Sequence, residues 1–180
     1  RYFQPLVKGF RLQVCNMTFN FNISLFLIAA IAYLTEGCCP DMFVGVGDRC
    51  YHYSSYKRTW SGADSACRGL GAHLVSFHNS GESAEVYDLW KSYTDVAYTD
   101  DKDRAYWIGF NDRSYEGSFR WSDGTSVTYT HWQSGAPNDN RGEDCVSPRN
   151  SGSSDITREE WNDYDCNEEK SYFCYVPLTF

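Results

Sequence analysis

Four short clusters of oxygen-bearing side chains mark the C-terminal half of the chain. Asp112 and Glu116 stand four apart, Asn138 and Asp139 follow Pro137, Glu143 and Asp144 precede Cys145, and Asn162 and Asp163 follow Trp161. Calcium takes about six to eight oxygen ligands from carboxylates, amide carbonyls and backbone carbonyls, so these clusters hold the inventory of a calcium site once the chain gathers them. Any one cluster alone reads as solvated loop acids. Four of them around Cys145 and Cys166 read as ion ligands. Catalysis finds no comparable support. His52, His73, His78 and His131 are scattered, in no triad or metal motif, and His131 beside Trp132 reads as a strand residue. The carboxylates suit calcium better than glycoside hydrolysis, and the expectation is a binding protein, not an enzyme.

The elements that must position these clusters form an α+β pattern. The segment from Cys39 to Cys50 encloses Pro40, Gly45 and Gly47 and suits a small terminal hairpin that continues through Tyr51, His52 and Tyr53. Trp60, Ala63, Ala66, Cys67 and Leu70 recur at helical spacing, with Gly69 and Gly71 to end the helix. Residues 73–77 alternate like a strand. A second helix follows a capping box of Asn79 and Glu82, with Val86, Leu89, Trp90 and Tyr93 on one face. After a polar loop over 94–104, residues 106–110 read as a buried strand and 119–121 as an alternating one. Ser122, Asp123 and Gly124 turn the chain, and 172–176 closes it as a final strand. Residues 133–164 are almost wholly polar. A loop of about 30 residues inside a compact domain calls for a stabiliser or a function.

Charge and cysteine usage set the surroundings. The 180 residues carry a net charge of −8 and 17% aromatic side chains, which favours β-structure and binding surfaces over disorder. Residues 23–34 form an apolar run of 12, short of the roughly 20 needed to span a bilayer. Small residues at Thr35 and Gly37 fit cleavage before Cys38, so 17–37 reads as a secretory signal peptide beginning at Met17, with a short membrane anchor as the alternative. Residues 1–16 remain as unassigned upstream sequence, and 38–180 as the mature domain. Removing 1–37 takes away Arg1, Lys8, Arg11 and Glu36 and leaves 13 basic against 23 acidic residues. Such a domain is a poor partner for nucleic acid or an anionic membrane. Seven cysteines remain: Cys38, Cys39, Cys50, Cys67, Cys145, Cys166 and Cys174. With no CxxC pair to hold zinc, they read as three bridges in an oxidising compartment and one thiol left over. Fifteen pairings of six cysteines are open to arithmetic alone. A leftover thiol at a new N-terminus can link two chains into a homodimer or be capped.

The chain resembles the C-type lectin domain over 39–176. The resemblance rests on Trp107-Ile108-Gly109-Phe110 for the family's WIGL strand, Ala136-Pro137-Asn138 for its EPN or QPD loop, Glu143-Asp144-Cys145, and Trp161-Asn162-Asp163 for its WND strand. Single-domain secreted invertebrate lectins with a Gly-Cys-Cys-Pro start are similar to Gly37-Cys38-Cys39-Pro40. The resemblance implies two helices and antiparallel strands with a long calcium-binding loop, and bridges Cys39–Cys50, Cys67–Cys174 and Cys145–Cys166. It gives Cys38 no internal partner. It also implies a cis peptide before Pro137 and two calcium sites. The principal one draws on Asn138, Glu143, Asn162 and Asp163, which also contact sugar; the secondary one draws on Asp112, Glu116, Asp139 and Asp144, with Glu143 shared.

Ala136 departs from the family pattern, because it stands where Glu or Gln supplies both a calcium oxygen and a hydrogen-bond acceptor for a sugar hydroxyl. Losing one charge-assisted hydrogen bond costs about 1.5–3 kcal/mol. The interval from Asn138 to Glu143 is also one residue shorter than in mannose-type members. By resemblance, Asn138 favours mannose-type ligands with equatorial 3- and 4-hydroxyls; Trp132 and Tyr164 are the rings available for a galactose-type platform, with Trp132 read as core. The expected protein is a secreted, calcium-dependent lectin for glycans or glycoproteins in innate recognition or agglutination. The alternative is a calcium-stabilised domain of the same fold that binds protein or another non-sugar ligand.

Overall fold

The structure is a computed structural model that describes residues 39–94, 105–148 and 159–178. The expected leader at 17–37, residues 1–16 and Cys38 lie outside the described residues. The described chain divides into two units, one made of 39–51 with 176–178 and the other of residues within 52–175.

In the first unit, strand β1 (Val44–Val46) turns through Gly47, at φ +61°, into the first residues of β2 (Arg49–Arg58), which runs on into the second unit, with Val46 opposite Arg49. The Cys39–Cys50 disulfide staples the hairpin at its base, and Leu178 donates its backbone N–H to the Asp48 carbonyl. This is the terminal hairpin the glycines and cysteines anticipate.

The second unit opens with α1 (Trp60–Gly69), capped by Thr59, whose hydroxyl accepts from the Gly62 N–H. Trp60, Ala63 and Cys67 are buried, whereas Leu70 lies exposed past the helix and caps it with its backbone N–H. Gly71, at φ +70°, takes the left-handed position that terminates such helices. Helix α2 (Ser80–Tyr93) begins at Asn79, which accepts from the Glu82 N–H. Glu82 answers by accepting from the His78 N–H, one residue earlier than a capping box requires. The Cys67–Cys174 disulfide ties α1 to the last strand.

Two sheets position the acidic clusters. In one, β9 (Lys170–Pro177) pairs antiparallel with β3 (His73–Leu74) and parallel with β4 (Tyr106–Trp107), a departure from the expected antiparallel pattern. The other runs β6-β5-β7-β8, from β6 (Arg120–Trp121) through β5 (Phe110–Asn111) and β7 (Cys145–Pro148) to β8 (Trp161–Tyr164). Residues 74–77 are all buried and do not alternate, because the chain is covered on both sides: Val75 donates to the Phe173 carbonyl and accepts from Gly109. The strand expected over 106–110 is two strands meeting at Gly109. A Cβ there would stand 2.8 Å from the Ser122 hydroxyl and 3.1 Å from the Leu74 carbonyl, so only glycine lets these backbones approach.

The long polar segment yields two paired strands. Pro148 faces Trp161 and Cys145 faces Tyr164, and the Cys145–Cys166 disulfide closes the same ladder. Trp161 is fully buried among the rings of Phe77, Phe110, Trp121, Tyr129 and Trp132. Aromatic pairs at such centroid distances contribute about 0.5–1.5 kcal/mol each beyond their buried area.

Asp123 ties the turn after β6 to β9. Its carboxylate accepts from the Thr125 N–H at 2.8 Å, the Thr125 hydroxyl at 2.6 Å and the Tyr175 hydroxyl at 2.6 Å. Burial pushes this carboxyl up, but hydrogen bonds from Ser76, Thr125 and Tyr175 outweigh it and hold the group below the usual carboxylate range. A depressed folded value makes the contribution complete above the unfolded value, near pH 4, and removes it as pH falls through the folded one. Asp123→Asn is therefore expected to cost about 1–3 kcal/mol at neutral pH. The gap between variant and wild type should narrow below about pH 4, as read from urea melts in chelator.

Candidate calcium and ligand site

Asp112 opens the loop after β5, and a tight turn folds that loop back over it. Tyr115 donates its N–H to the Asp112 carbonyl, and Gly117, at φ +72°, donates to Asp112 Oδ2 at 2.8 Å. Across the sheet, the Asp112 N–H donates to the Asp144 carbonyl at 3.1 Å, which fixes the start of β7 beside the turn. Carboxylate oxygens of Asp112, Glu116 and Asp144 consequently lie within 4.8 Å of one another. Asp112 is 1% exposed, and its Oδ1 has no hydrogen-bond partner. Burial, reinforced by the Glu116 and Asp144 charges and offset in part by the Gly117 amide, pushes its carboxyl up to about 6.

A buried acceptor without a donor, facing two further carboxylates, is costly unless a cation compensates it. The donor set is all hard oxygen, which suits calcium and not a thiolate-seeking metal. These three residues fit the ion, and a bound calcium would supply charge compensation and fix the turn.

Asp139, the fourth residue expected there, is not among the three grouped carboxylates, and one of its oxygens is engaged within its own loop. At φ +44°, it accepts through Oδ1 from the N–H groups of Gly142 and Glu143, closing the loop that runs to β7.

The second set gathers around Asp163. This residue is fully buried on β8, and its Oδ2 accepts from the backbone N–H groups of Asn138 at 2.8 Å and Asp139 at 2.7 Å. The Ala136-Pro137-Asn138 loop, half-buried at Ala136 and exposed at Pro137 and Asn138, with its cis peptide at Pro137, is thereby hung on β8. Asn162 sits beside it, its amide nitrogen donating to the Asp163 carbonyl at 2.7 Å. Burial and the nearby Asp163 charge push the Glu143 carboxyl up, which places these two acids in one electrostatic neighbourhood.

Gln133 is the residue that sequence reasoning missed. Its backbone N–H bonds to the Trp161 carbonyl, and its side-chain Nε2 donates to Asn162 Oδ1 at 2.8 Å. The Ala136 N–H bonds back to the Gln133 carbonyl, so the glutamine stands one turn from the position that lacks a polar side chain. Its place three residues before Ala136 in a loop was the available signal. Neither ring stands free, as expected of Trp132. Trp132 packs against Phe110, Phe119 and Trp161, while Tyr164 lies under the Lys170 ammonium at 4.1 Å and edge-on to Trp107. The histidines are spread over separate places: His73 lies against Tyr175, His78 against Trp121 and His131 against Tyr129.

Asp112→Asn separates repulsion from ion binding. Without metal, the variant should melt at or above the wild-type temperature, since it removes a buried charge facing two others. A ligand at about one hundred times its dissociation constant stabilises the native state by about 2.7 kcal/mol. Wild type should show a calcium-dependent rise in melting temperature that the variant loses in large part. An unchanged rise would remove Asp112 from the ligand set.

Residues 56–176 match the description "Lectin C-type domain", two thirds of the chain. Echinoidin of Heliocidaris crassispina is 31% identical over 154 residues, covering 79% of this chain and 99% of that protein. The alpha-N-acetylgalactosamine-specific lectin of Patiria pectinifera is 33% identical over 150 residues, covering 78% of this chain and 84% of its own length. The crystal structure of the C-type lectin CEL-I from Cucumaria echinata superposes with a TM-score of 0.68 at 29% identity, covering 78% of this chain and all but 1% of the other, at 99%. The chain belongs to the C-type lectin domain family.

Proposed function

We propose that this protein is a secreted, calcium-dependent, carbohydrate-binding lectin whose partners are glycans or glycoproteins. The observation that carries the calcium part is the unpartnered, buried Asp112 Oδ1 among the carboxylates of Glu116 and Asp144. Family membership carries the carbohydrate part, supported by relatives whose names describe lectins. In this reading Asp112, Glu116 and Asp144 hold a structural ion. Asn138, Glu143, Asn162 and Asp163 form the sugar-facing set and hold a second ion, with Gln133 beside them. Asp139 serves that set indirectly, by closing its loop.

Ala136 makes this second set weaker than a full complement of acids would be. An ion there competes with the N–H groups that already occupy Asp163 Oδ2, and the loop offers no carboxylate at 136 to compensate. The same gap favours the second reading, a calcium-stabilised domain for a non-sugar ligand. Glycan-array binding with and without chelator separates the two. The lectin reading expects mannose-type glycans to be retained in calcium and released by chelator. Binding that ignores calcium, or no glycan retained at millimolar sugar, sinks it.

Ala136→Glu should tighten mannose-type binding by about ten- to a hundredfold, the equivalent of one recovered charge-assisted hydrogen bond. No gain would mean that the Gln133 contact and the turn at Asp139 have reorganised the loop beyond what one side chain restores. Secretion with a leftover Cys38 further leads us to expect a disulfide-linked homodimer on non-reducing gels that collapses on reduction. Pairing would raise avidity through effective concentration. A monomer under both conditions removes the pairing.

A further inference from the structure

Beside the turn that carries Asp112 and Glu116, a cleft of about 510 Å³ opens between α1 and the β5–β6 hairpin, and three guanidinium groups line it. Arg68 comes from α1, Arg113 from the loop after β5, and Arg120 from β6. Only Asp64 adds a carboxylate to the lining, and Arg68 takes it, with Nε 2.8 Å from Oδ2, while its NH2 donates to the Ser122 carbonyl. Among the described residues, neither Arg113 nor Arg120 pairs with a carboxylate. This is unexpected in a chain of net charge −8, and most of all for Arg113, which sits in sequence between Asp112 and Glu116. Its guanidinium lies over the Trp60 ring, 5.1 Å from the centroid. That ring is a fixed floor, because its indole N–H is bonded to the Ile108 carbonyl at 2.9 Å. Arg120 is held by donating to the Ser114 hydroxyl.

Each guanidinium has five donors in a planar fork, and contacts with the Ser114 hydroxyl and the Trp60 ring leave most of those on Arg120 and Arg113 available to the cleft. Like charges converging on one concavity repel unless an anion sits between them, and guanidinium forks match planar or tetrahedral oxyanions in bidentate fashion. The cleft volume lies in the range of about 300–1,000 Å³ typical of small-molecule sites. We propose that this cleft binds an oxyanion, a sulfate ester or carboxylate, carried on an acidic saccharide of one or two sugar units. The oxyanion part rests on the arginines alone, and the saccharide part rests on the lectin reading. Such a site would add selectivity for acidic glycans that owes nothing to calcium.

The test uses the full chain in chelator, so that the calcium-dependent site is silent and its failure does not affect the result. The probes are a sulfated heparin disaccharide, its unsulfated uronic-acid counterpart and sodium sulfate, titrated by calorimetry and by amide chemical shifts. The expected result is saturable binding of at least one disaccharide, with shifts centred on Asn111, Arg113, Arg120 and Gly124. Affinity should weaken as salt rises from about 50 to about 200 mM. Arg113→Gln and Arg120→Gln should each lower affinity about tenfold, with Arg120→Glu abolishing binding. Preference between the two disaccharides identifies the oxyanion as sulfate or carboxylate. Shifts that map elsewhere, no binding of either disaccharide at about 20 mM, or variants that keep wild-type affinity and melting temperature overturn the proposal. Sodium sulfate binding as tightly as the disaccharides would overturn the saccharide assignment.

Discussion

A carboxylate withdrawn from water must find donors or a cation, and two buried aspartates in this chain meet that demand in opposite ways. Asp163, fully buried, is satisfied from within by the backbone N–H groups of Asn138 and Asp139. Asp112, 1% exposed, has one oxygen bonded to the Gly117 amide and leaves the other facing acids. The first arrangement organises a loop and the second asks for an ion. Much of what surrounds them follows from these two requirements: where the polar loop is anchored, which acids converge, and which do not.

Both aspartates are held in place by apolar packing that comes before any electrostatics. Asp163 is on β8, whose Trp161 is enclosed by five other rings, and β8 is locked to β7 by four residue pairs and a disulfide. Asp112 follows β5, whose Phe110 packs on Trp121 and Trp161 from the same cluster. One aromatic core therefore sets the positions of both carboxylates, and the loops between them need little regular structure of their own. A charge is tolerated at zero exposure only where the framework cannot relax to hydrate it. The glycine at 109, pressed between the Ser122 hydroxyl and the Leu74 carbonyl, is part of that rigidity.

Much of this was legible in the sequence, for identifiable reasons. The three disulfides, the two helices and the cis peptide before Pro137 agree with what the family resemblance implies, because cysteines, caps and motif tripeptides are local signals. Alternation failed over 73–77, since a strand covered on both sides has no polar face to display. Asp139 was expected beside Asp112. A positive φ and a tight turn engage its Oδ1 with the amides of Gly142 and Glu143, a contact set by backbone conformation that residue type and spacing do not display. Gln133 was invisible because its contact with Asn162 spans 29 positions and is created by the pairing of Trp132 with Trp161. The arginine cleft was hidden for a similar reason. Its three members are spread from 68 to 120 in a chain whose totals are acidic, and only the fold brings them to one concavity.

The position of Gln133 bears on how this loop can compensate for Ala136. An acid at 136 would give a charged oxygen to an ion and an acceptor to a hydroxyl, whereas a neutral amide gives one oxygen and two donors. With Nε2 against Asn162 Oδ1, the glutamine spends a donor on the residue that would otherwise present that oxygen outward. The Asn162 amide nitrogen is in turn committed to the Asp163 carbonyl at 2.7 Å, so turning that amide over would set its oxygen against a carbonyl. The run of donors from Gln133 through Asn162 to the β8 backbone therefore fixes both amides in one orientation. The folding of the loop itself depends on Asp163, which already has its donors.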